Sequence, residues 1–304
     1  MKRLSIIALL LCIVTATYAV KPTTVEFAKI DGKSLYFDVY APDDTTTNRP
    51  AVLFAFGGAF RGGHRDNKEY IEFFNFLADH GIVAVSTDYR TSLMEYLKPT
   101  SKPEDIAQAF ASAVSDAVAD FCTATGYLYY NAAQYGIDPT KIFASGSSAG
   151  AITALQAAYA MSDNTAAPQF QYAGVISFAG AIFSVGPLEW GADTCPMMLF
   201  HGNNDHNVPY NEISWGTINF IGSEPLAKSL ADKGVPCELY IFDGIDHAVC
   251  HTPMTDNLYD ILGFITRVSS GKEKLSIRAM ICPPDMPKFT PPTITVEDII
   301  KANL

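Results

Sequence analysis

Short apolar segments alternate along the chain with longer segments of helical periodicity, and this alternation is the strongest constraint on its fold. Apolar runs at residues 50–56, 82–86 and 141–145 have the length and the bounding residues of buried strands. Residues 68–80 and 149–161 instead space their apolar side chains three and four apart, which is typical of helices. Repeated strand and helix pairs predict an α/β protein with a mostly parallel, twisted sheet and helices on both faces.

The remaining segments continue this pattern. An Asp-Gly pair at 31–32 separates two β-rich segments, residues 24–30 and 34–40, and predicts a hairpin. The alanine-rich stretch 103–136 predicts a helix with a weak point at Gly126. Further strands are predicted at 172–178, 197–200 and 238–242, and further helices at 209–234, interrupted near Gly222, and at 255–269.

The C-terminal residues 271–304 form a proline-rich tail that departs from the alternation. Its prolines exclude a long helix or a central strand, so we expect the tail to wrap over the surface. Residues 295–303 alone predict a short helix, with Glu297 and Asp298 in its first turn. Residues 20–304 are expected to form a single domain that includes this tail.

The N-terminal residues 1–19 have the three parts of a secretory signal peptide. A basic start is followed by an apolar run at 4–14 and by small residues that end at Ala19, where we expect cleavage. The alternative is a membrane anchor, but the run is shorter than the roughly 20 residues of a spanning helix. Lipid attachment at Cys12 is disfavoured by the leucine before it. We expect a secreted or periplasmic protein with no membrane insertion after cleavage.

Charge and cysteine content narrow the classes of partner. The chain has 21 Lys+Arg against 32 Asp+Glu, a net charge of -11, without a dense basic run. Nucleic acids and anionic membranes are therefore disfavoured as partners. The odd number of cysteines after the leader leaves at least one unpaired within the chain, and both disulfides and buried free thiols remain open. These cysteines are Cys122, Cys195, Cys237, Cys250 and Cys282.

The most specific motif is Gly-Ser-Ser-Ala-Gly at 146–150, between a predicted strand and a predicted helix. A tight turn of this kind needs small residues so that the hydroxyl of Ser148 projects above the sheet at a helix N-terminus. The alternative is an ordinary glycine-serine turn. The flanking strand and helix favour a nucleophile elbow, with Ser148 as the nucleophile.

A serine nucleophile needs a histidine base and an acid, which in this context follow it in the order acid, then histidine. His201 comes too early, and His247 is favoured over His251 because it follows the predicted strand 238–242 directly. A surface histidine in a polar loop is the alternative.

The acid is expected in the loop that follows the predicted strand 197–200, where Asp205 is favoured. Asp193 precedes that strand, and Asp246 is adjacent to His247 in the chain and is poorly placed to reach its Nδ1 atom. An aspartate that only forms a turn is the other interpretation of Asp205.

The glycine loop at 57–63 follows the predicted strand 50–56 and is expected to bind the oxyanion. Backbone N–H groups of Gly58 or Ala59 and of Ala149 are the predicted donors. A phosphate-binding loop is the alternative, but the Gly-Lys-Ser/Thr ending of such loops is missing.

Taken together, these motifs resemble the α/β-hydrolase superfamily, in particular its carboxylesterase and acetyl-esterase branch, and are similar to secreted bacterial esterases. The glycine loop departs from the HGGG pattern of that branch, with Phe56 in place of the histidine and Ala59 in place of the third glycine. The resemblance runs from about residue 25 to 269 and rests on segments 36–42, 56–60, 85–90, 135–150, 201–209 and 244–250.

The resemblance implies a serine carboxylesterase that needs no metal or cofactor and acts through an acyl-enzyme on a small-molecule or polysaccharide-linked ester. Only short stretches such as 183–194 are free to form a lid, so we expect little or no cap and an open site. Short-chain acyl groups, acetyl or feruloyl, are the expected substrates. A serine peptidase of the same superfamily and a non-catalytic binding module are the alternatives. The first usually carries an extra domain, and the second usually lacks the nucleophile or the base.

Overall fold

The computed structural model describes residues 20–98, 101–162, 170–215, 217–282 and 289–304 of the chain. The predicted signal peptide lies outside these residues. The strands are β1 (Thr23–Ile30), β2 (Lys33–Tyr40), β3 (Arg49–Ala55), β4 (Val83–Thr87), β5 (Ile137–Ser147), β6 (Gly174–Phe178), β7 (Ile182–Ser184), β8 (Met197–Gly202), β9 (Glu212–Trp215), β10 (Ile218–Ile221), β11 (Cys237–Phe242) and β12 (Ile277–Ile281). The helices are α1 (Lys68–Asp79), α2 (Leu93–Tyr96), α3 (Pro103–Tyr130), α4 (Ala149–Met161), α5 (Ser223–Lys233), α6 (Pro253–Asp256), α7 (Leu258–Ser269) and α8 (Val296–Asn303).

The central sheet has nine strands within the described residues, in the order β1-β2-β4-β3-β5-β6-β8-β11-β12. The β1–β2 and β2–β4 pairs are antiparallel, and every pair from β4–β3 to β11–β12 is parallel. All five residues of β6 are buried, and β6 packs against both α4 and α7, so helices cover both faces of the sheet. The predicted α/β arrangement is confirmed.

This topology brings the chemically interesting loops together. Strands β3, β5, β8 and β11 run parallel, so their carboxyl ends meet at the same edge of the sheet. The glycine loop follows β3, Ser148 follows β5, Asp205 follows β8 and His247 follows β11. Segments that are far apart in the chain therefore converge at one edge.

The predicted helix at 209–234 is wrong in its first half. Residues 212–221 form the hairpin β9–β10, which joins β7 in a small sheet of order β7-β10-β9, and only α5 is helical. The aromatic ring of Phe220 packs on Phe183 of β7, with ring centroids 4.2 Å apart. This tertiary contact favours the extended conformation for a segment whose apolar spacing is ambiguous.

The weak point predicted at Gly126 is also wrong, because α3 passes through it without interruption. The glycine is tolerated because α3 buries a row of small and aromatic side chains, including Ala117, Phe121 and Ala124, against the core. Tertiary packing of this kind outweighs the cost of about 1 kcal/mol for one glycine in a helix.

The tail contributes one strand and one helix to the described residues. Its strand β12 pairs with β11 at the edge of the sheet. This position agrees with the sequence prediction, which excluded a central strand in the tail but not an edge strand. The predicted helix at 295–303 is confirmed as α8, whose N-terminus carries a capping box in which Thr295 and Asp298 bond each other's backbone N–H groups.

All five cysteines of the described residues are free thiols, which decides between the two alternatives that the sequence leaves open. Burial raises the pKa of Cys122 to about 11 and the pKa values of Cys195, Cys237 and Cys250 to about 12, so these thiols stay protonated. Among the described residues, no helix combines the length and the apolar character needed to cross a membrane.

Two glycine substitutions should have opposite effects on the free energy of unfolding. A Cβ atom on Gly126 would meet nothing within 4 Å, so Gly126→Ala should stabilise the protein by about 0.5–1 kcal/mol. A Cβ atom on Gly150 would overlap the carbonyl oxygen of Ala55, so Gly150→Ala should destabilise it by about 3 kcal/mol. Urea denaturation followed by circular dichroism measures both. Equal stability of Gly150→Ala and the parent would contradict the close approach of α4 to β3.

Candidate active site

Ser148 lies in a strained turn between β5 and α4. Its backbone has φ 54° and ψ -118°, a conformation that costs a non-glycine residue about 1–3 kcal/mol. Its N–H donates to the carbonyl oxygen of Phe178 over 2.8 Å. Cβ atoms on Gly146 and Gly150 would overlap the backbone of Gly150 and of Ala55, respectively, so both positions require glycine. The motif thus forms the strand-to-helix elbow, with the hydroxyl at the helix N-terminus.

The structure brings the three predicted residues Ser148, His247 and Asp205 into one hydrogen-bonded chain. The Nε2 atom of His247 lies 2.7 Å from Oγ of Ser148. The Nδ1 atom of the same ring lies 2.6 Å from Oδ2 of Asp205. With the proton on Nδ1 donated to the carboxylate, Nε2 is free to accept the serine proton. Three loops from three strands supply the three side chains.

Asp205 is fully buried, and its surroundings keep it ionised. Its Oδ1 atom accepts the N–H groups of Asn207 (2.8 Å) and Val208 (3.0 Å). Burial by itself favours a higher pKa, but hydrogen bonds from His201 and His247, together with their charges, lower the pKa of Asp205 below its usual range. The carboxylate can therefore orient the His247 ring and stabilise its protonated form.

His201 contacts the Asp205 carboxylate, and the sequence did not predict this contact. Its Nε2 atom is 3.4 Å from the Asp205 carboxylate and 3.1 Å from the carbonyl oxygen of Val208. Its Nδ1 atom is 2.7 Å from the hydroxyl of Ser223, at the start of α5. The ring is completely buried and, like His247, faces the Oδ2 atom of Asp205. Chain order excluded it as the base, but nothing in the sequence links it to Ser223.

The rival residues make other contacts. The ring of His251 stacks on Tyr70, with centroids 5.3 Å apart, and its Nε2 atom lies 3.7 Å from Glu69. Asp246 accepts the N–H of Ala248 and caps the 3-10 turn that begins at His247. The N–H of Asp193 donates to the carbonyl oxygen of Ser162, the C-cap residue of α4. In this geometry, the hydrogen-bonded pair at Ser148 is formed by His247 and Asp205.

The unusual residues of the glycine loop have structural reasons. The buried ring of Phe56 stacks on Tyr89, with centroids 4.4 Å apart, and the Tyr89 hydroxyl donates to the Phe56 carbonyl oxygen over 2.7 Å. An aromatic pair thus occupies the place of the histidine in the HGGG pattern. Ala59 has φ 52°, a left-handed conformation that favours glycine, and the N–H of Arg61 closes the turn on the carbonyl oxygen of Gly58.

The predicted oxyanion donors lie around Ser148. Gly58 and Ala59 line the same cavity as Ser148 and His247, and Ala149 begins the helix that follows the serine. In the described part of the chain, the N–H groups of Ala59 and Ala149 donate to no protein acceptor. Two such donors beside a nucleophile are the arrangement that stabilises an oxyanion.

Ser148 separates two cavities of different size and character. One is apolar, encloses about 20 Å³ and is lined by Phe60, Phe110, Phe183, Phe220 and Ile299, among others. The other measures about 420 Å³, opens to solvent and carries the polar side chains of Asn67, Glu69 and His251. We call these the acyl cavity and the outer cavity.

The tail reaches this site, which the sequence did not predict. Ile299 and Asn303 of α8 line the acyl cavity, and Asn303 also borders the outer cavity. The site is therefore open on its outer side and closed by α8 on the other. Within the residues that the structure describes, no group of three or more His, Cys, Asp or Glu side chains is placed to hold a metal ion.

The BD-FAE family model matches residues 37–189 of the chain. Among solved structures, native esterase 2 of the Planctomycetes species Thermogutta terrifontis aligns with a TM-score of 0.60 and 25% identity, over 85% of this chain and 95% of that one. The same esterase phosphoramylated by tabun aligns with a TM-score of 0.60 and 26% identity, over 83% and 96% of the two chains.

A curated relative is a probable isoprenylcysteine alpha-carbonyl methylesterase of rice, Oryza sativa subsp. japonica. It is 24% identical over 255 residues, which cover 69% of this chain. The aligned region covers 53% of the rice protein, so the chain spans about half the length of this relative.

Tyr70→Phe should lower kcat for ester hydrolysis about tenfold and leave KM within about twofold. The Tyr70 hydroxyl accepts the N–H of Gly57 over 3.2 Å, so its loss should shift the glycine loop and its donors. Steady-state kinetics with p-nitrophenyl acetate measures the effect. Tyr130→Phe is the control, because Tyr130 is 81% exposed and should not change either constant. An unchanged kcat in Tyr70→Phe would contradict the positioning role of Tyr70.

Proposed function

Because the chain belongs to the BD-FAE family and is an esterase of the α/β-hydrolase fold, we propose that it is a serine carboxylesterase. Its proposed reaction is the removal of acetyl groups from a polyhydroxyl alcohol such as a polysaccharide. One observation carries the proposal. The hydrogen-bonded chain from Asp205 through His247 to Ser148 ends between a small apolar cavity and a larger cavity that carries more polar groups.

In the proposed reaction, Oγ of Ser148 attacks the ester carbonyl while Nε2 of His247 takes the hydroxyl proton. Asp205 stabilises the resulting imidazolium, and the N–H groups of Ala149 and of Ala59 or Gly58 bind the oxyanion. The C–O bond to the alcohol then breaks, and the alcohol leaves with the proton from His247. Water, deprotonated by the same ring, hydrolyses the acyl-enzyme and releases the acid and Ser148.

The comparisons support a serine nucleophile. The Thermogutta terrifontis esterase has been solved phosphoramylated by tabun, phosphonylated by cyclosarin and phosphorylated by paraoxon. Phosphorylating agents of this class are attacked by an activated hydroxyl, and in this chain Ser148 is the hydroxyl that lies 2.7 Å from a histidine ring nitrogen.

The size of the acyl cavity favours the acetyl group over the feruloyl group. Its volume of about 20 Å³ accommodates little more than one water-sized group, such as the methyl of an acetyl ester. A feruloyl group carries an aromatic ring, and the buried Phe60 and Ile299 occupy the space that this ring would need. Its low polarity also suits a methyl group.

The outer cavity favours a polyhydroxyl alcohol. Asn67, Glu69 and His251 offer both donors and acceptors in an open space of about 420 Å³. Burial lowers the pKa of His251, although the charge of Glu69 opposes this effect, so the ring is mostly neutral at pH 7. Its side chain is 40% exposed, so the ring can contact a ligand in the outer cavity.

Ser148→Ala should reduce p-nitrophenyl acetate hydrolysis by about 10⁴-fold or more, because the nucleophile is lost. Ser145→Ala is the matched control, since the buried Ser145 hydroxyl has no hydrogen-bond partner in the described residues. Paraoxon should add one phosphoryl group per chain to the parent and to Ser145→Ala, but none to Ser148→Ala, by intact-protein mass spectrometry. Undiminished labelling and turnover in Ser148→Ala would refute the proposed nucleophile. Dipeptide cleavage faster than any ester would favour the peptidase alternative.

Acetylated oligosaccharides should be deacetylated with a kcat/KM about 100-fold above that for feruloylated oligosaccharides of the same backbone, because the acyl cavity excludes the aromatic acid. Acid release measured by chromatography tests this expectation. A higher kcat/KM for the feruloylated substrate would contradict the acetyl assignment and leave the serine mechanism unaffected.

A further inference from the structure

The C-terminal helix α8 closes the acyl cavity, although it lies outside the strand and helix alternation of the fold. We propose that α8 is the element that limits acyl-chain length, with the Ile299 side chain as the group that blocks acids longer than acetate. The inference rests on the proposed esterase function and deepens it by naming a specificity-determining residue.

One face of α8 is buried, and another face is exposed to solvent. Ile299 is 6% exposed and Asn303, one turn later, is 8% exposed, whereas Glu297 and Lys301 face solvent. Both buried residues line the acyl cavity together with Ser148. Ile299 is thus an aliphatic side chain that packs at the reaction centre and belongs to the tail rather than to the sheet.

Hydrogen bonds hold α8 against the two loops that form the site. The Asn303 amide nitrogen donates to the carbonyl oxygens of Asn207 (2.8 Å) and Ile299 (2.9 Å). The Asn207 side chain donates in return to the carbonyl oxygen of Ala302 over 3.3 Å. The guanidinium of Arg61, in the glycine loop, donates to the carbonyl oxygen of Asn303 over 2.6 Å.

These contacts fix α8 relative to the reacting atoms. Asn207 bonds through its N–H to the Asp205 carboxylate, so α8 is anchored to the loop that carries the acid. Arg61 anchors α8 to the loop that carries the oxyanion donors, two residues after Ala59. The wall formed by Ile299 therefore keeps a defined distance from the acyl group on Ser148.

Two other apolar residues that line the acyl cavity, Phe60 and Phe183, are held in place by contacts with neighbouring residues. Phe60 is 1% exposed and its carbonyl oxygen accepts the N–H of Leu93, and Phe183 is held by its ring contact with Phe220. Ile299 reaches the cavity from a single helix of eight residues, and an alanine in its place removes three carbon atoms. That space matches the two additional methylene groups of a butyryl ester.

The test compares kcat/KM for p-nitrophenyl acetate, butyrate and hexanoate in the full chain and in the Ile299→Ala and Ile300→Ala variants. The butyrate-to-acetate ratio should rise about tenfold in Ile299→Ala, because the added space accepts the longer acid. Ile300→Ala removes the same atoms from the next position, which does not line the acyl cavity, and should leave the ratio within about twofold. Hexanoate should remain excluded in all three proteins.

Three results would overturn the inference. They are a parent enzyme that hydrolyses butyrate as well as acetate, an unchanged ratio in Ile299→Ala, and equal gains for butyrate and hexanoate, which would indicate displacement of the whole helix. Paraoxon labelling of each protein distinguishes a failure of the Ile299 proposal from a failure of the proposed serine esterase. A labelled, active enzyme with an unchanged ratio refutes only the role of Ile299, whereas an unlabelled, inactive parent refutes the serine esterase itself.

Discussion

The contact between Gly150 and the end of β3 determines where the Ser148 hydroxyl points. Because Gly150 has no Cβ, α4 packs directly against Ala55 at the end of β3. The turn that joins β5 to α4 takes a left-handed conformation at Ser148. The buried sheet around β5 holds this strained turn in place. The position of Ser148, the proposed nucleophile, at the N-terminus of α4 follows from that close approach.

Electrostatics at the site depend on a second buried contact. Asp205 is shielded from water and held by two backbone N–H groups and two histidine rings, and these contacts keep its carboxylate ionised. The same loop carries Asn207, which binds α8. One loop therefore holds Asp205 and also positions α8, so the proposed catalytic geometry and the proposed acyl selectivity share one support.

Local sequence was most informative where function demands a particular backbone. Glycines at 146 and 150 predicted the elbow, and the loops after β8 and β11 suggested Asp205 and His247 through their place in the chain. Local sequence was misleading at 212–221, where apolar residues suit either a helix or a hairpin and the Phe183–Phe220 contact decides. The weak point predicted at Gly126 was wrong for a related reason, because packing of α3 against the core keeps the helix continuous there.

The sequence by itself determined the α/β alternation, the elbow and the order of the three side chains, because periodicity and turn chemistry are local properties. Only the tertiary structure decided that His201 supports Asp205, that Tyr70 holds the glycine loop, and that Ile299 closes the acyl cavity. Although His201 and Asp205 are four residues apart, Ser223 of α5 fixes the His201 ring, and Ile299 lines the cavity of Ser148 from the far end of the chain. These contacts exist because the sheet and the tail fold back on one edge, which no single segment encodes.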